Sequence, residues 1–195
     1  MTTAPRSIVL GTGNAHKVVE LAAILGPLLP GIEFLRYDGP SPVEDGDTFE
    51  ANALIKARAA HRTSGLPAIA DDSGIVVDGL GGAPGIHSAR YAGTGSDEDN
   101  RHLLLERLGD AGDRAARFVC AAVYVDDDVE LVRTAVWEGS ILDAARGEGG
   151  FGYDPIFAPA GAGGKAAAEL SADEKNATSH RGLAFRALAE ALAAG

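Results

Sequence analysis

The apolar positions of this chain fall in short runs, broken by glycine, proline and acidic clusters. Ser7-Ile8-Val9-Leu10 is apolar and of strand length, and predicts a buried first strand. Gly11-Thr12-Gly13-Asn14 follows as a turn. Val18, Leu21 and Leu25 then recur at helical spacing. They predict a helix from Ala15 to Leu25, capped by Asn14 and ended by Gly26 and Pro27. Thr48 caps a second helix, from Phe49 to near Thr63, with Phe49, Ala53, Leu54 and Ala57 as its apolar face. Asn52 and Lys56 lie four apart on another face of that helix.

Two further apolar runs, 68–70 and 75–77, predict strands on either side of an acidic turn, Asp71-Asp72-Ser73-Gly74. A glycine-rich loop over 79–85 precedes a helix from Asp97 to Leu108, capped by Ser96 or Asp97. Residues 117–125 and 130–138 alternate as strands and form a hairpin across Asp126-Asp127-Asp128, which reads as a solvated tip. Ile156-Phe157 is a short strand, and 161–168 is a loop of small residues. Ser171-Ala172-Asp173-Glu174 is a capping box that opens a short helix, and the last helix runs from Leu183 to Ala193. Strand–helix units beside hairpins predict an α/β fold, a mixed β-sheet flanked by helices.

A chain of 195 residues buries one sizeable core, so a single domain over 1–195, with room for two lobes, is expected. The content of 46% hydrophobic and 23% charged residues is that of a soluble globular protein. The formal net charge of −11 argues against a nucleic-acid-binding surface. It also repels anionic substrates at long range, so local cations or a metal ion must overcome it. Cys120 is the one cysteine and reads as a small core residue; no intrachain disulfide is possible. The run 18–32 is interrupted by Glu20, Pro27 and Pro30, so no membrane span is expected. The amino terminus lacks a signal-peptide pattern, and a cytoplasmic location is the expectation.

The candidate chemistry lies in the turns. Adjacent Asp71 and Asp72 sit between apolar segments, where a carboxylate is costly unless paired, hydrogen-bonded or bound to a metal. A strand, a glycine turn and a helix amino terminus at 7–17 form a site for an anion, though the spacing matches neither of the two common nucleotide loops. Lys17, beside His16, opposes the dipole of its helix at a cost of about a few tenths of a kcal/mol. His180 and Arg181 do the same at another helix start, and together these basic groups suggest one multiply charged anion. Glu44 lies in an acidic loop, Glu44-Asp45-Gly46-Asp47, and by itself reads as a surface residue. In Gly150-Phe151-Gly152-Tyr153-Asp154-Pro155 two aromatics stand among flexible glycines. They either stack on a flat ligand such as a base or pin the loop to the core.

Six segments together resemble the inosine triphosphate pyrophosphatase family. They are residues 12–17, Glu44 with 48–53, 70–74, 81–85, 150–155 and 179–182, in the family's order across nearly the whole chain. One departure is His16, where members often carry a small residue before the lysine. The resemblance implies Mg²⁺-dependent hydrolysis of inosine, deoxyinosine and xanthosine triphosphates to the monophosphate and pyrophosphate. It implies a substrate cleft between two lobes. It implies Glu44 and Asp72 as metal ligands, with Asp72 also the general base and Asp71 a supporting carboxylate. Thr12, Gly13, Asn14, Ala15, His16, Lys17 and Lys56 would hold the phosphates, and Ser73 would bond substrate near the metal. Phe151, Gly152, Tyr153, Asp154, Lys175, His180 and Arg181 would choose the base. Phe151 would stack on the purine and Arg181 would donate to a keto oxygen at position 6. Adenine would set donor against donor, and an unpaired buried donor costs about 1–3 kcal/mol. A homodimer is expected, with no nucleic-acid or membrane partner. Two other readings are a pyrophosphatase of related architecture acting on modified pyrimidine nucleotides, and a non-catalytic nucleotide sensor.

Overall fold

The computed structural model describes residues 7–110 and 112–194; the side chain of Ala15 lies outside the described residues. Six strands form one mixed sheet in the order β2-β1-β3-β4-β5-β6. These are β1 (Ser7–Leu10), β2 (Glu33–Arg36), β3 (Ala68–Val77), β4 (Ala115–Val125), β5 (Glu130–Ile141) and β6 (Phe157–Pro159). β1 runs parallel to β2 and β3, with Ser7 opposite Glu33 and Leu10 opposite Ile69, while β5 and β6 are antiparallel. Among the described residues five α-helices accompany them: α1 (Ala15–Leu28), α2 (Phe49–Ser64), α3 (Asp97–Leu108), α4 (Ala172–Thr178) and α5 (His180–Ala194). The expected α/β class with a mixed sheet is thus present.

The described residues divide into two compact units. The first draws on residues 7–72, 120–135 and 181–194, the second on 73–110, 112–119 and 136–180. In the first unit, strand alternation sends side chains to the two opposite faces of the sheet. Ile8, Leu10, Ile69, Cys120, Ala122 and Tyr124 pack against Leu21, Ile24 and Leu25 of α1 and Phe185 and Leu188 of α5. Ala70, Ala121 and Val123 pack instead against Ala53 and Ala57 of α2, and Val9 and Ala68 against Ala60. Each large apolar side chain buried this way contributes about 1.5–3 kcal/mol. The small alanines of α2 let that helix approach the strands closely. In the second unit Ile75, Val77, Phe118, Trp137, Tyr153, Ile156 and Phe157 form one core with Leu104 and Leu108 of α3.

Several predicted boundaries move. β3 is continuous through Asp71, Asp72, Ser73 and Gly74, where the sequence predicted a turn between two strands. The charges did not force the chain out to water because each carboxylate finds its own cations on its own face. α1 continues through Gly26 and Pro27 to Leu28; proline's missing donor falls in the last turn, and Leu29 N donates to Leu25 O at 2.9 Å. β2 had no sequence signal: it is a four-residue edge strand, and its two apolar residues are only half-buried. Residues 154–156 form a 3₁₀ turn, so the short strand begins at Phe157, and α5 begins at His180 rather than Leu183. The hairpin tip is a solvated turn as expected, with Asp126 Oδ1 accepting from the amides of Asp128 and Val129. Among the described residues no helix is long and apolar enough to cross a membrane.

Candidate functional site

Asp71 continues the row of Ile69 and faces the α1 and α5 side of β3. Asp72 continues the row of Ala70 and faces α2. Neighbours in sequence, the two carboxylates therefore have separate partners.

Asp71 is 1% exposed. Its Oδ2 accepts from Lys17 Nζ at 3.0 Å and, at longer range, from Arg181 Nε at 3.4 Å and Nη2 at 3.5 Å. Arg181, also buried, donates through Nη1 to Glu20 Oε2 at 2.7 Å. Burial by itself raises the Asp71 carboxyl, but Lys17 and Arg181, with a contribution from Lys56, outweigh it and hold the group well below the usual carboxylate range. Cys120 is fully buried, its thiol 3.9 Å from Asp71 Oδ2. Burial, then the Asp71 charge, push that thiol upward, which fits a core residue and not a nucleophile. The two basic groups at helix starts, Lys17 and Arg181, are thus brought together on one anion, and that anion is the protein's own Asp71. Arg181 donates to two carboxylates, Asp71 and Glu20.

Asp72 Oδ1 accepts from Lys56 Nζ at 2.7 Å, and the same ammonium donates to Glu44 Oε2 at 3.1 Å. Burial, partly offset by Lys56, raises the Asp72 carboxyl. Burial lowers the Lys56 ammonium, but Asp72, Asp71 and Glu44 together carry it above its ordinary value, so it stays charged. Glu44 reaches this position because its loop is tied to α2: the buried Asn52 accepts from Gly46 N at 2.9 Å. The structure leaves no room for a Cβ at Gly46, which would meet that Asn52 oxygen. Asn52 and Lys56, one helical turn apart, therefore gather the acidic loop and the strand.

The donor set fits magnesium. Asp72 Oδ2 is buried and has no hydrogen-bond partner among the described residues. Glu44 and Asp72 offer hard oxygen ligands at one ammonium, and Mg²⁺ binds through one or two carboxylates, keeping waters or phosphate oxygens for the rest. Among the described residues no cluster of three or more His, Cys, Asp or Glu could hold a metal ion. A substrate's phosphates would have to complete the shell.

The turn before α1 is partly self-satisfied. Asn14 Oδ1 accepts from the amides of His16 at 2.9 Å and Lys17 at 3.2 Å, and Thr12 Oγ1 accepts from Asn14 N at 3.2 Å. Asn14 is the expected cap, and it occupies two of the helix-terminal donors expected to meet phosphate. Gly13, Asn14 and His16 are exposed, while the side chain of Ala15 lies outside the described residues. Lys17 gives Asp71 one of its three ammonium donors.

In the second unit, Asp154 organises the aromatic loop. Its buried Oδ2 accepts from Phe151 N and from Lys175 Nζ, both at 2.8 Å, and the Lys175 ammonium lies 4.8 Å from the centre of the half-buried Phe151 ring. A Cβ at Gly150 (φ +71°) would collide with the Asp154 carboxylate, so that close approach requires glycine. The Tyr153 ring belongs to the core and its hydroxyl donates to Ser88 O at 2.8 Å. Of the two roles weighed for the loop aromatics, Tyr153 takes the pinning one. The His180 ring is buried and stacks on Phe118 at 4.7 Å, 7° from parallel. Ser73 is half-buried on β3.

Sequence reasoning missed Glu20, whose ion pair with Arg181 spans 161 residues, and Asp97 and Arg101, which contact Gly152 from α3. Glu20 lies three residues after Lys17, a hint of a shared helix face. Nothing local signalled the other two.

Comparison with known proteins adds an independent line. The model of the Ham1 family matches residues 8–191. A protein of Leifsonia xyli subsp. xyli named dITP/XTP pyrophosphatase is 52% identical over 191 residues, covering 96% of each chain. One of the same name from Shigella flexneri is 49% identical over 199 residues, covering 97% of this chain and all of the other. Among solved structures, a HAM1 protein from Coxiella burnetii superimposes with a TM-score of 0.86 at 41% identity, covering 97% of this chain and 99% of that one. The resemblance seen in the six segments is borne out along the whole length, and the chain belongs to the Ham1 family.

Proposed function

We propose that this protein is a magnesium-dependent nucleoside-triphosphate pyrophosphatase. It converts inosine, deoxyinosine and xanthosine triphosphates to the monophosphate and pyrophosphate, clearing them from the nucleotide pool. The observation that carries the reading is the convergence of Glu44 and Asp72 on Lys56, with one buried Asp72 oxygen left open. The name dITP/XTP pyrophosphatase, borne by the relatives from Leifsonia and Shigella, supports the substrate class.

Glu44 and Asp72 would hold Mg²⁺, which when bound neutralises phosphate charge. Asp72 Oδ2 orients the attacking water and accepts its proton at the α-phosphate. Lys56 keeps the two carboxylates together and retains one ammonium donor for a phosphate oxygen; Lys17 retains two. Local cations of this kind offset the repulsion from a net charge of −11. At the base, the Phe151 face stacks on the purine and Lys175, fixed by Asp154, supplies a cationic donor beside it. Donation by Arg181 to a position-6 keto oxygen requires it to share its guanidinium with Asp71 and Glu20. A cytoplasmic location belongs to the same proposal, as does a homodimer, which rests on the family resemblance.

The test is pyrophosphate release from inosine triphosphate with and without Mg²⁺, beside adenosine and methylated pyrimidine triphosphates. Metal-dependent release from the inosine nucleotide is expected. Preference for the pyrimidines would move the substrate to that class, and binding without release would make the protein a sensor.

A further inference from the structure

Gly152, in the middle of the aromatic loop, is gripped on both sides of its backbone by one helix. Its N–H donates to Asp97 Oδ2 at 2.8 Å, and its carbonyl accepts from Arg101 Nη1 at 2.6 Å. Asp97 and Arg101 are four apart in α3 and so share a face, one turn from the other. The helix is itself fixed. Ser96 Oγ caps it by accepting from Asp99 N at 3.2 Å, and Leu104 and Leu108 enter the core. The buried Asn100 donates to Ala89 O at 3.3 Å and accepts from Ala92 N at 2.7 Å.

Two opposite charges on one helix face are ordinarily a solvated face. Here both reach more than 50 residues along the chain to the same glycine, at φ +60°, where water would satisfy the backbone equally well. What they add is order. A glycine at positive φ is the most freely moving point of a loop, and Phe151 precedes it directly. Tyr153, on the other side, is anchored through Ser88.

We propose that Asp97 and Arg101 are positioning residues for purine recognition: they clamp Gly152 and hold the Phe151 ring in place before the base arrives. This rests on the function proposed above. Without the clamp, nucleotide binding must also order the loop, and affinity falls while chemistry at the phosphates does not.

The test uses Asp97→Ala and Arg101→Ala, singly and together, with Asp97→Asn and Arg101→Lys, which keep an acceptor and a donor. For inosine triphosphate, KM should rise by about five- to tenfold in the double variant with kcat within about twofold, and the conservative variants should recover most of it. Thermal unfolding confirms that the variants fold. Amide hydrogen exchange at 150–153, read without nucleotide, should quicken in the alanine variants. Unchanged KM and unchanged exchange in folded variants would overturn the clamp. So would a loss in kcat that tracks the folded fraction. Failure of the parent protein to release pyrophosphate would sink the proposed function instead, and the exchange measurement would still judge the clamp.

Discussion

Asp71 and Asp72 are bonded neighbours that face opposite sides of one strand: Asp71 holds Lys17 and Arg181, and Asp72 holds Lys56. Two adjacent carboxylates in a turn would share a site and repel. Strand alternation instead gives Asp71 the pair Lys17 and Arg181 and gives Asp72 the ammonium that also holds Glu44.

Asp72→Asn is expected to lower pyrophosphate release by about a hundredfold or more, because an amide cannot accept the water's proton. The variant should fold, since its Oδ1 can still accept from Lys56. Steady-state assays with thermal unfolding as the control check this. Activity near the parent's would remove Asp72 from the chemistry.

Asp71→Ala should act on stability first. It leaves Lys17 and Arg181 without their shared anion in a site that is 1% exposed, and removing one partner of a buried ion pair costs about 3–5 kcal/mol. A lowered Tm or denaturant midpoint, much larger than for Asp72→Asn, is the expected measurement. Equal midpoints for the two variants would contradict the division of roles.

Glu44→Gln should raise the Mg²⁺ concentration needed for half-maximal activity by about tenfold, through loss of a charged oxygen ligand. Its side chain is 33% exposed, so the fold should be little affected. Titration of activity with Mg²⁺ reads the shift. An unchanged requirement would take Glu44 out of the metal site.

Asp126 supplies a pH test of the hairpin. Burial raises its carboxyl, but the Tyr124 hydroxyl, the amides of Asp128 and Val129, and His61 outweigh it, leaving the group below its ordinary value. A carboxyl lowered in the folded state adds stability that is complete above the unfolded pKa and is lost as pH falls through the folded one. Between about pH 5 and pH 3 the parent should therefore lose stability faster than Asp126→Asn, measured as Tm against pH. Parallel curves would argue against the contribution.

Much of the outline was legible because it is local. Thr48 accepts from Ala51 N, Ser171 and Glu174 exchange their two capping bonds, and α3 spans the predicted Asp97–Leu108. The six family segments likewise survive as short words. Illegible features depended on partners far along the chain. A pattern of two short apolar runs around two aspartates reads as strand, turn, strand unless Lys17, Lys56 and Arg181 are known to await the charges. The Glu20–Arg181 pair and the hold of α3 on Gly152 leave no local trace for the same reason.

By itself the sequence determined which residues carry charge at which helix start, where the first four helices begin, and the ordered set of segments that marks the family. Only the tertiary structure decided how those charges are shared out. It placed Asp71 among its own cations and gave Asp72 and Glu44 a common ammonium. It also packed the Tyr153 ring into a core and tied its hydroxyl to Ser88. The physical reason is that burial makes every charge and hydroxyl find a partner, and most of those partners lie dozens of residues away, brought near by the pleat of one strand and the helices packed on it.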